Sequence, residues 1–88
     1  MVGDMKLEKM EQKIDIEEQE TMISIDYAMK EIVIYSTRAS VVNRMIRQGY
    51  EPTKVFYLDK EPCGAEWRYP TSMIGKFVRT GLFSYNAV

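Results

Sequence analysis

The sequence predicts an α+β fold, a two-layer ββαββα sandwich in which a four-stranded antiparallel sheet carries two helices on one face. Three observations lead there. Ile23, Ile25 and Tyr27 alternate with Ser24 and Asp26, the β-branched run EIVIY follows, and KVFYLD and AEWRY read as a second pair of strands. They recur at helical spacing through SVVNRMIRQG and SMIGKFVRTG. Those two helical stretches, residues 40–49 and 72–81, match at an offset of thirty-two residues.

At that offset Ser40 meets Ser72, Arg47 meets Arg79 and Gly49 meets Gly81. The apolar pairs Val41/Met73, Val42/Ile74, Met45/Phe77 and Ile46/Val78 keep their character, and Arg44 matches Lys76. The match reflects either a duplicated unit or the shared demands of two amphipathic helices, and ten positions leave both open. A lone hairpin cannot close a core, whereas two hairpins under two helices can.

Residues 1–20 form an acidic arm with seven acids against three lysines, and residues 21–88 form one α+β domain with nine Lys or Arg against six acids. In the arm Leu7, Met10 and Ile14 fall at i, i+3 and i+7 behind Asp4 as N-cap. That thin stripe implies a short helix or a disordered extension, ordered only by docking. From Thr21 the period changes to two, a turn falls near residues 28–30, and EIVIY completes a hairpin. Thr37 stands as N-cap of the first helix, with Gly49 and Pro52 as its stop.

The second unit repeats the order. KVFYLD is a strand, Glu61-Pro62-Cys63-Gly64 reads as a type I turn, and AEWRY is the returning strand, closed by Pro70. Thr71 or Ser72 then caps a helix running to Gly81, and the tail LFSYNAV extends from it onto the core. Trp67 and Tyr69 share the face opposite Glu66 and Arg68, so both aromatics are expected under the helices.

At 88 residues with a single cysteine, the chain is a small domain without an internal disulfide. Dimerisation or a partner would add to its stability. The lone thiol, the lack of a signal-peptide pattern and the short apolar runs read as a cytoplasmic protein with no membrane segment.

Histidine is absent, which removes the commonest general base and transition-metal ligand. Cys63 has no base or second cysteine placed to activate it. Asp26, Glu31, Asp59, Glu61 and Glu66 lie near strand ends, yet their spacing resembles no metal loop, and Gly-rich phosphate loops are missing. No cofactor, metal or catalytic set is expected, so the chain reads as non-enzymatic. A metal-dependent nuclease built on strand-end acids is the enzymatic alternative.

The candidate binding residues are basic. Arg44 and Arg47 end one helix stripe with Ser40 and Asn43; Lys76 and Arg79 end the other with Ser72 and Gly75; Arg38 and Arg68 are expected nearby. Such a surface suits phosphates or an acidic protein, although cations at helix C-termini also answer the helix dipole alone. Exposed members of the aromatic set Tyr27, Tyr35, Phe56, Tyr57, Trp67, Tyr69 and Tyr85 would suit stacking or a protein-binding hot spot.

The string ISIDYAMKEIVIYSTRASVVNRMIRQGYEP, then GAEWRYP and a final amphipathic segment, resembles small proteins encoded by phages and prophages of Gram-positive bacteria, over residues 21–83. These share an IDY strand, a β-branched run ending in Tyr, a Thr-Arg helix start and an aromatic strand closed by Pro, without a catalytic motif. The resemblance implies a host-cytoplasmic protein that binds and inhibits a host protein, defence nucleases included. Sheet edge, basic helix stripe and acidic arm are the candidate surfaces, with a homodimer as a further partner state. The alternative is a small nucleic-acid-binding module using the basic helix faces, against which the near-neutral charge and acidic arm weigh.

Overall fold

The β-branched stretches pair into one antiparallel sheet, as their period requires. In the computed structural model, which describes residues 7–79, the elements are β1 (Thr21–Asp26), β2 (Glu31–Ser36), α1 (Ala39–Arg47), β3 (Lys54–Leu58), β4 (Glu61–Pro70) and α2 (Ile74–Arg79). Strand order is β1-β2-β4-β3, so each hairpin contributes one central and one edge strand, and the two central strands β2 and β4 pair antiparallel. Both helices pack on one face of the sheet, as the sequence predicts. Asp4 and the segment 80–88, including Gly81, Tyr85 and the tail, lie outside the described residues.

Alternation assigns the two faces. Ile32, Ile34 and Ser36 on β2 pair with Tyr69, Trp67 and Ala65 on β4, and all but the half-buried Tyr69 are buried. Val42 and Met45 from α1 and Phe77 from α2 close over them as one core. Buried Trp67 donates its indole N–H to the Tyr50 carbonyl at 3.1 Å, so its burial leaves no orphan donor. Tyr50, Tyr69 and Phe77 stack edge-on or tilted, with centroids 5.1–6.1 Å apart.

Helix α1 ends where the sequence places its stop. Gly49 takes φ 93°, its N–H bonds Ile46 and the Tyr50 N–H bonds Met45, which together make a Schellman motif. Its beginning differs from the expected Thr37 cap. Arg38 is the N-cap and its side chain makes no capping bond to the helix N-terminus, while the Thr37 hydroxyl accepts the Glu20 N–H at 3.0 Å instead, closing β1 onto β2. The Ala39 N–H is answered by Gln12 Oε1 at 2.8 Å, from the arm.

That bond belongs to a larger difference. Residues 7–15 form no helix; the arm runs irregularly with one 3₁₀ turn at Ile16–Glu18, and Met10 is a core residue at 1% exposure. Asn43 holds it, accepting the Met10 N–H at 2.7 Å and donating to the Met10 carbonyl at 2.8 Å. Sequence periodicity cannot register this docking, because the amide of Asn43 imitates a strand partner thirty-three residues away.

The second hairpin also departs from expectation. Its turn is Asp59-Lys60, both left-handed (φ 53° and 70°), as in a type I′ turn, and Glu61-Pro62-Cys63-Gly64 is the start of β4. Phe56 pairs with Gly64 and Tyr57 with Pro62, so the half-buried Cys63 is the extra residue of a bulge. Pro62 is tolerated there, and a Cβ at Gly64 would lie 3.0 Å from the Ser36 carbonyl oxygen, so any larger residue needs β2 to give by a few tenths of an ångström. Lys60→Gly should relieve the left-handed strain and raise stability by about 0.5–1 kcal/mol, read as a higher denaturant midpoint.

The repeat holds in placement and loosens in packing. Residues 71–79 match 39–47 at the thirty-two offset, but the copy opens with a 3₁₀ turn at Thr71–Met73 before a six-residue α2. Phe77 is buried like Met45, while Val78 is exposed where Ile46 is half-buried.

Burial pushes the Tyr35 and Tyr69 phenols above their ordinary value. The folded chain therefore keeps protons that the unfolded chain gives up once pH passes about 10. The stability these two phenols contribute is complete below that pH and is lost as pH rises through their folded values. Denaturant titrations between pH 8 and 11 should show the fall, and Tyr69→Phe should flatten it.

Candidate functional site

The predicted basic residues divide between the two faces of the sheet. Arg38 precedes α1, with its Nε donating to Ser40 Oγ at 3.2 Å; Arg44 is half-buried; Arg47 is exposed in the last turn. On α2, Lys76 and Arg79 are exposed, and Lys76 Nζ sits 5.5 Å over the Tyr50 ring. Neither helix contains an acid. Asn43, expected in the same stripe, is committed to Met10.

Arg68 does not belong to that surface. It lies on the opposite face, where its guanidinium meets Glu66 at 3.1 Å, Glu31 at 3.4 Å and Asp26 at 3.6 Å. Hydrogen bonding to Glu66, then to Glu31, holds its charge more firmly still. Strand alternation puts these four side chains on one side of three neighbouring strands, so Arg68 staples the sheet. The same face carries the Tyr35–Phe56 edge-on pair at 5.4 Å, with Lys54 5.1 Å over Phe56.

Strand β1 gathers what the sequence does not reveal. It is an edge strand whose hydrophobic residues remain open on both faces: Met22 is 56% exposed, Ile23 44% and Ile25 41%, with Tyr27 at 84% in the adjoining turn. Burial explains the exposure, since the helices close over β2 and β4 and contribute their buried residues there. Ile23 and Ile25 stand on the helix side beside Ile34 and Ile32, at the margin of the core.

The hydrogen-bond phase of β1 follows from its neighbours. Thr37 N–H bonds the Glu20 carbonyl at 3.0 Å, one step beyond the Thr21–Ser36 pair. Bonded pairs alternate along an antiparallel ladder, so Met22, Ser24 and Asp26 turn their backbone groups to β2. Those of Thr21, Ile23 and Ile25 turn outward. The phase agrees with Thr71 N–H bonding the Lys30 carbonyl on the other flank of β2.

The two edges of the sheet differ in protection. β3 carries Lys54 and a bulge lies in its ladder with β4, both ordinary devices against edge pairing. Within TMISID there is no Lys, Pro or bulge. A six-residue, β-branched, partly apolar edge of this kind is a template for a further strand.

No protein-family model matches this chain, nor does any curated protein or solved structure. Among the described residues, no group of three or more acids and cysteines is arranged to hold a metal ion, and no helix is long and apolar enough to cross a membrane.

Proposed function

We propose that this chain is a non-enzymatic interaction protein that accepts a partner's strand on β1, and that the partner is a host protein which it thereby blocks. The observation that carries the reading is the unprotected β1 edge, with outward backbone groups at Thr21, Ile23 and Ile25 between open hydrophobic side chains. Main-chain bonds would supply affinity, and the flanking side chains specificity. The resemblance to phage and prophage proteins supports the choice of a host target and of inhibition as the outcome.

The nucleic-acid reading has one observation in its favour, the acid-free helices with Arg47, Lys76 and Arg79 exposed. One experiment separates the two. The tagged chain, its Ile25→Lys variant and its Arg47→Ala/Arg79→Ala variant are each used to capture partners from nuclease-treated and untreated host lysate at low and moderate salt. The strand-docking reading expects one protein that survives nuclease and salt and is lost with Ile25→Lys, since a lysine on the edge opposes pairing. Nucleic acid that elutes with salt, persists with Ile25→Lys and is lost from the arginine variant would assign the function to the helices.

A further inference from the structure

We infer that the occupant of the β1 edge is an extended segment of another protein in which apolar residues alternate with Lys or Arg. The inference rests on the docking reading above and adds the chemistry of the partner. It comes from the charges that frame the edge. Residues 14–29 contain five acids, Asp15, Glu17, Glu18, Glu20 and Asp26, and no Lys or Arg.

The pleat sorts what an added strand would meet. On the helix side it would lie against Ile23 and Ile25, whose exposed area an apolar side chain covers. On the opposite side it would lie against Met22 and Ser24, bracketed by Glu20 at one end and Asp26 at the other. Asp26 shares one guanidinium with Glu31 and Glu66. Lys54 stands across from Glu66 on the far strand, so the excess of carboxylate lies toward β1. An incoming strand therefore finds an apolar row on one side and, on the other, a row with a carboxylate at each end, Glu20 and Asp26, and cations near the ends of its facing row answer them.

The same charges disfavour a second copy. Self-pairing that uses Thr21, Ile23 and Ile25 of both chains is centred on Ile23 and sets Glu20 opposite Asp26 of the other copy, at both ends. Like charges placed directly across a ladder are destabilising.

The test is a displayed library of random octapeptides panned on the full chain, followed by anisotropy titration of the best synthetic peptide and of its counterpart with every Lys and Arg changed to Glu. Three variants accompany it. Ile23→Pro removes an outward N–H, Ile25→Lys guards the edge without touching the backbone, and Glu20→Lys inverts one framing charge at a residue whose bonds to the fold are made by its backbone. The expected result is enrichment of alternating sequences rich in Lys and Arg, lost on Ile23→Pro and Ile25→Lys. At low salt the Glu counterpart should bind at least about tenfold more weakly, the gap narrowing at high salt, and Glu20→Lys should narrow it too.

Peptides lost on both edge variants but without basic bias would overturn the charge inference and leave the docking reading standing. Concentration-dependent dimerisation of the full chain, abolished by Ile25→Lys, would overturn it in favour of a second copy. Peptides that bind both edge variants as well as the parent chain would overturn the docking reading itself.

Discussion

Ile23→Pro is expected to leave the domain folded and to abolish strand docking, whereas Ser24→Pro, one residue away, is expected to damage the fold. The difference lies in the phase of the ladder. Ile23 turns its N–H to the outer edge, so proline there removes a donor that no described residue uses and a docked strand would, and edge strands tolerate proline in that orientation. Ser24 turns its N–H toward Val33 on β2; proline removes that bond and drives its ring into the neighbouring strand.

The lost bond costs on the order of 1–3 kcal/mol. In a domain of this size each kcal/mol moves Tm by about 4–8 °C, so Ser24→Pro should lower it by roughly 10 °C and Ile23→Pro by a few degrees. Binding should change in the opposite order. Losing a central main-chain bond and the Ile23 side chain should weaken the partner by about a hundredfold, or ~2.7 kcal/mol. Thermal melts beside titrations with the captured partner check both halves.

Met10→Ala should be the most destabilising change in the arm. The residue is fully enclosed with Ile32, Ile34, Trp67 and Phe77 in a single core, so truncation removes apolar contacts and leaves a cavity. The expected loss is about 2–5 kcal/mol, against a total that for domains of this kind is about 5–15 kcal/mol. Asn43→Ala should act in the same direction by orphaning the Met10 N–H and carbonyl. Ile16→Ala, at a position 72% exposed, should stay within about 0.5 kcal/mol of the parent. Urea unfolding of the three variants measures the contrast.

Most of the fold is legible in the sequence because its period is local. The switch from two to 3.6 at Ser36–Ala39, the glycine stop at Gly49, and the burial of Trp67 opposite Arg68 all follow from neighbours a few residues apart. What escapes such reading is longer in range. Met10 is buried through Asn43, and Gln12 caps a helix twenty-seven residues away. The Asp59-Lys60 turn carries no glycine to announce it, which left the Pro and Gly of residues 61–64 as the stronger local signal.

The candidate site shows the same division. The cations of α1 and α2 stand at the predicted positions on their helices, whereas Arg68 is placed by strand alternation on the opposite face among three carboxylates. The β1 edge needed the strand order, since TMISID and KVFYL read alike until the sheet shows which central strand each one flanks and which edge is guarded.

Amide hydrogen exchange of β1, read residue by residue in the free chain and in the complex with its captured partner, tests strand docking most directly. In the free chain Thr21, Ile23 and Ile25 should exchange quickly while Met22 and Ser24 are protected by the β2 ladder, and partner binding should slow the fast set. Fast exchange at Thr21, Ile23 and Ile25 that persists in the complex, with protection appearing instead along α1 and α2, would contradict β1 as the docking edge.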